Sequence, residues 1–63
     1  MSTATLNAKA AITRKDAAEK YAISVWMVDE LIAAGLVSAK RVGRRVLVNA
    51  QSMQDWYDGL EDA

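Results

Sequence analysis

The chain contains no cysteine and no histidine. Without cysteine there is no disulfide to staple the fold and no thiol chemistry. Without histidine, the commonest general base and the commonest metal ligand are both missing. Long hydrophobic runs are lacking too, and the longest uncharged stretch falls far short of a membrane span. The first residues carry no apolar h-region, so the expectation is a cytosolic protein with no secretory leader and no membrane contact. An excess of one charge sign is also absent: 8 basic residues balance 8 acidic ones. The 63 residues suffice for one domain, and a chain of that size buries only about 60% of its unfolded surface. It offers little wall for a closed pocket. The reading is therefore of a protein that is not an enzyme, with no catalytic residues, no metal and no cofactor.

The zero net charge hides an uneven distribution. Residues 1–35 carry four basic and four acidic side chains. Residues 36–50 carry four basic ones, Lys40, Arg41, Arg44 and Arg45, and none that is acidic. Residues 51–63 carry four acidic ones, Asp55, Asp58, Glu61 and Asp62, and none that is basic. Local potential, more than the total, governs contact with phosphates.

Residues 1–11 are small, polar and weakly patterned, and read as a flexible tail. Thr13-Arg-Lys-Asp16 then has the form of a capping box, with Thr13 as N-cap and Asp16 reaching back. Ile12 before the cap can pack against Ala17. The first helix runs to about Tyr21, with Ala17, Ala18 and Tyr21 inward. Ala22-Ile23-Ser24 is a tight break. Ser24 is a good N-cap for a second helix from Val25 to about Ala34, with Ile23 stapling against Val28. Gly35 follows in the C′ position, where a left-handed residue is cheapest. At about 100° per residue, Val28, Leu31 and Ile32 share one face, and Trp26, Asp29, Glu30 and Ala33 share the other. Trp26 thus falls on the wet side, where it either wraps around an edge of the core or touches a partner.

The run Lys40-Arg-Val-Gly-Arg-Arg-Val-Leu-Val48 brackets a turn signal with apolar residues and crowds it with arginine. It predicts a β-hairpin with a cationic tip. Two turns are open. A two-residue Gly43-Arg44 loop of type II′ pairs Val42 with Arg45. A three-residue loop pairs Val42 with Val46 and gathers the valines on one face, which the apolar pattern favours, while glycine at the first loop position favours the two-residue loop. Arg44 lies at the tip in both. Asn49 then caps a third helix from Ala50 to about Asp58. Met53, Trp56, Tyr57 and Leu60 share one face, Gln51, Asp55 and Asp58 the other, and Gly59 is the stop. Val28, Leu31, Ile32, Met53 and Trp56 are the expected structural core.

Two helices joined by a tight turn, then a basic hairpin and a last helix, describe a mainly α fold with a small β-hairpin, a winged helix-turn-helix over residues 12–60. Residues 61–63 are an acidic tail. In such a fold the N-terminal residues of the second helix meet base edges in the major groove, and the hairpin reaches the adjacent backbone or minor groove of double-stranded DNA.

At this level the sequence resembles the excisionase-type, MerR-like winged helix-turn-helix domain. The matching residues are Ile12-Thr-x-x-Asp-Ala-Ala18, Ile23-Ser24, Val28, Leu31-Ile32, Gly35, Arg41-Val-Gly-Arg-Arg45, Val46-x-Val48, Met53 and Trp56. The resemblance covers residues 12–57. It implies a phage recombination directionality factor that binds and bends attachment-site DNA, in several head-to-tail copies, and helps an integrase in prophage excision. It places wing contacts on Arg41, Arg44 and Arg45, beside Lys40, and recognition-helix contacts on Val25, Trp26, Asp29 and Glu30, next to the cap Ser24. The chain departs from the family's pattern on that helix, whose exposed positions are usually richer in arginine, serine and threonine. Asp29 and Glu30 repel phosphates, although either can accept a hydrogen bond from cytosine N4. The wing, with Arg14 and Lys15 at the start of the first helix, then carries more of the affinity, and DNA shape more of the specificity.

Two further readings stand beside this one. The first is a minimal MerR-like transcriptional regulator, although regulators of that type continue into a coiled coil and this chain ends sooner. The second is a protein-interaction module built on Trp26, its acidic neighbours and the acidic third helix. The acidic tail serves solubility or meets the basic wing of a neighbouring copy on DNA, an association that does not close.

Overall fold

The computed structural model describes residues 10–63, which form three helices and a three-stranded antiparallel sheet. In chain order these are β1 (Ala11–Thr13), α1 (Arg14–Tyr21), α2 (Val25–Ala33), β2 (Ala39–Val42), β3 (Arg45–Asn49) and α3 (Ala50–Asp58). The expected order of helices and hairpin is present. The fold is nonetheless mixed α/β, because the hairpin is joined by a third strand that the sequence pattern does not announce. β3 is central, flanked by β2 and β1. Ala11, expected in the tail, lies opposite Asn49, and Ile12 lies opposite Val48. Residues 1–9 of the expected tail lie outside the described residues.

Each helix starts at the residue whose side chain can satisfy the orphan amides of a first turn. The Thr13 hydroxyl accepts from the Asp16 amide at 3.0 Å, the Ser24 hydroxyl from Met27 at 3.0 Å, and the Asn49 side chain from Ser52 at 2.8 Å. The expected box at Thr13 is half made. Among the described residues Asp16 sends no bond back, and Thr13 is instead the last residue of β1, opposite Leu47.

The turn between α1 and α2 is closed by backbone geometry. The Ile23 amide donates to the Ala18 carbonyl at 2.9 Å and Ala22 to Glu19 at 3.3 Å, the bond pair of a Schellman motif. Its left-handed residue is Ala22, at φ 56°, a conformation strained for a side chain with a Cβ. The end of α2 repeats the motif with the residue chemistry prefers. Leu36 donates to Leu31 at 3.0 Å, Gly35 donates to Ile32 at 3.1 Å, and Gly35 has φ 77°.

The core is Ala17, Ala18, Val28, Leu31, Val37, Val48 and Met53. Ile12, Tyr21, Ile23, Ile32, Ala39 and Trp56 pack around it half-buried. Of the expected core, Val28, Leu31 and Met53 are buried, and Ile32 and Trp56 sit at its margin. Val28, Val48 and Met53 are fully enclosed, and each contributes about 1.5–3 kcal/mol by leaving water. The amphipathic face expected for α3 is narrower than its sequence suggests: Tyr57 and Leu60 are exposed. Tyr21 bridges α1 to α3. Its ring meets Trp56 edge-on at 6.1 Å, and its hydroxyl donates to the Gln54 side chain at 3.1 Å. The α2–β2 connection is tied to α3 by the Ser38 amide, which donates to the Ser52 hydroxyl at 2.9 Å.

Candidate nucleic-acid interface

The hairpin turns on two residues. Val42 pairs with Arg45, so the loop is Gly43-Arg44. Gly43 has φ 62° while Arg44 has no positive φ, the signature of a type II′ turn. The three-residue loop favoured by the apolar pattern is not formed. Its supposed benefit, burying Val42 with the other valines, is forgone, and Val42 is exposed on β2. Backbone twist at the turn outweighs one exposed valine, because the primed turn matches the twist of its strands. The consequence for the site is that Arg44 stands at the apex with Arg45 directly behind it.

Register divides the basic residues of the hairpin. The pairs Ala39–Val48 and Arg41–Val46 share one face of the sheet, and Lys40–Leu47 and Val42–Arg45 share the other. Val48 is buried against the helices, so the Lys40 face looks outward. Lys40 borders an apolar groove of about 310 Å³ there, with Val42 and Leu47. Arg44 in the turn and Arg45 at the start of β3 border a second concavity. They line this cleft, of about 330 Å³, with Arg14 and Lys15 from α1, Val25 from α2, and Thr13 and Val46.

The cleft therefore joins three groups of residues that are far apart in sequence: the hairpin tip, the start of α1 and the start of α2. Four cationic residues line one concavity, and all four are exposed. Arg41 and Lys40 lie outside it. Among the described residues, the one ion pair is Arg14 to Asp29 at 3.1 Å. Lys15, Arg44 and Arg45 have no carboxylate partner among the described residues. Guanidinium and ammonium groups left unneutralised around a concave surface are suited to an anion of phosphate type.

The exposed face of α2 is chemically different. Trp26 is 67% exposed and is not among the side chains packed on the core, so it does not wrap around the core's edge. Val25 and Met27 beside it are each 39% exposed. Glu30 is exposed, while the Asp29 carboxylate is engaged by Arg14. The Ser24 hydroxyl accepts the Met27 amide as the helix cap and keeps its own proton to donate. Sequence reasoning does not find the Arg14–Asp29 pair, since the two residues are neither helix neighbours nor strand partners. It also misses Thr13 and Val46 as walls of the cleft, reading the first as a cap and the second as a strand residue.

Among the described residues no cluster of His, Cys, Asp or Glu is placed to hold a metal ion, and no helix is long and apolar enough to cross a membrane. Compared with protein families, curated proteins and solved structures, the chain finds no match.

Proposed function

We propose that this protein is a winged helix-turn-helix binder of double-stranded DNA, with α2 in the major groove and the β2–β3 hairpin as the wing. The convergence of Arg14, Lys15, Arg44 and Arg45 on one cleft beside the start of α2 carries the reading. In such a fold the recognition helix enters the groove by its N-terminal residues while neighbouring elements hold the backbone. Cations lining the cleft support contact with such a backbone. Phosphate contacts of this kind give affinity and register without sequence information.

The resemblance of residues 12–57 to excisionase-type domains supports a narrower role. In that role the protein binds and bends attachment-site DNA and acts with an integrase in excision.

The test is a salt titration. Deleting a cation that pairs with one phosphate lowers the salt slope of duplex binding by about one. Arg44→Ala weakens binding to a duplex and flattens its slope by that amount, with the melting temperature unchanged because Arg44 is exposed at the turn. Equal affinity and equal slope for variant and parent would overturn the wing's role.

A further inference from the structure

Resting on the DNA-binding reading above, we infer that the α2 face reads thymine through its C5-methyl group, with Trp26 as the specificity-determining side chain. α2 is Val25-Trp-Met-Val-Asp-Glu-Leu-Ile-Ala33 and contains no Arg, Lys, Asn or Gln. The usual side chains for guanine, a cation to O6 and N7, and for adenine, a carboxamide to N6 and N7, are therefore missing from this helix. Asp29 is held by Arg14 at 3.1 Å, and the Ser24 hydroxyl caps the helix by accepting from the Met27 amide at 3.0 Å. Glu30, one turn further along, is exposed and suited only to cytosine N4, so what is outward on the first turn is apolar surface: Trp26, flanked by Val25 and Met27. In the major groove the one base feature that apolar surface recognises is the thymine methyl.

The cationic cleft gives this face its occupant. Val25 is itself a wall of the cleft, alongside Arg14, Lys15, Arg44 and Arg45. A backbone held there brings the adjacent groove edge onto the first turn of α2, where Trp26 stands. An apolar protein partner seated on Val25 would have to bury those cations, whereas a phosphate backbone pairs with them. The indole also carries one N–H donor, which can reach O4 of the same thymine and add direction to the interaction.

The probe is the tightest-binding duplex selected from a random-sequence pool, resynthesised with deoxyuridine in place of thymidine. That exchange removes the methyl and leaves every hydrogen-bonding group in place. Burial of one methyl-sized group is worth about fourfold in affinity, so the parent protein should bind the deoxyuridine duplex at least about fourfold more weakly. Trp26→Ala, a substitution at an exposed position that leaves the fold intact, should bind the two duplexes alike. If the parent binds both equally, the methyl inference fails and DNA binding stands. If the exchange weakens parent and Trp26→Ala by the same factor, the effect is one of DNA shape and the inference also fails. If no duplex is enriched or bound at low salt, the DNA-binding reading itself fails.

Discussion

The guanidinium of Arg14 sits 3.1 Å from the Asp29 carboxylate, tying the first turn of α1 to the middle of α2. Both side chains are nearly half exposed, so solvent screens the pair and its contribution to stability is less than about 1 kcal/mol. Its larger effect is on potential. One cation at the rim of the cleft is cancelled by one anion on the helix beside it.

Asp29→Asn removes that cancellation. The variant is expected to unfold within about 1 kcal/mol of the parent and to bind duplex more tightly at low salt. Denaturant unfolding and fluorescence anisotropy across a salt series check both. Weaker binding would show that Asp29 serves by aiming Arg14.

Ala22 occupies a left-handed position at φ 56° that favours glycine. The strain costs about 1–2 kcal/mol, and glycine's greater freedom in the unfolded chain returns part of it. Ala22→Gly should therefore raise stability by about 0.5–1 kcal/mol, read as a higher denaturant midpoint with an unchanged slope. A lower midpoint would mean that the Ala22 methyl packs with a benefit larger than the strain.

Met53 and Trp56 are neighbours on α3 with different burial. Met53 is fully enclosed, and Trp56 is half-buried against Tyr21. Met53→Ala should cost about 2–5 kcal/mol, a large share of the stability of a domain this small. Trp56→Ala should cost less than the removal of a fully buried tryptophan. Far-ultraviolet circular dichroism through a thermal melt measures both, and the smaller loss is expected at the larger side chain.

Burial, aided by the Asp58 carboxylate and by Tyr57, pushes the Tyr21 phenol above its ordinary 10.0. The folded chain therefore keeps this proton after the unfolded chain has released it. The stabilisation is complete below pH about 10 and disappears as pH rises through the higher folded value. Urea unfolding repeated at rising alkaline pH should show that decline, and Tyr21→Phe should lessen it. An equal alkaline decline in the variant would assign the effect to other groups.

Much of the architecture is local chemistry, which is why it can be read directly. Thr13, Ser24 and Asn49 each cap the helix they precede, and Gly35 takes the left-handed turn after α2. The hairpin position is also visible, because glycine and arginine interrupt an apolar run. What the sequence hides depends on distant partners. β1 has three residues, too few to display a period of two, and its partner strand is at the far side of both helices. The Arg14–Asp29 pair hides for the same reason. The turn length is divided in the sequence: the valine pattern points to three residues, and Gly43, which can take the positive φ of a type II′ turn, points to the two that form. The cleft follows from all three: once β1 and the turn are fixed, the start of α1 and the wing tip share one wall.

β1 alters what the wing can do. A two-stranded ribbon alone is marginal in water, whereas here β3 is held along its other edge by Ala11, Ile12 and Thr13. The base of the ribbon is fixed further by the Asn49 amide, which donates to Ser38 at 2.9 Å, and by the Ala50 amide, which donates to Ala10 at 3.0 Å. The arm carrying Arg44 is thus braced like a bracket on a wall rather than hung from a hinge. Its ordering entropy is spent when the chain folds, so a ligand arriving at the tip meets a shape already set.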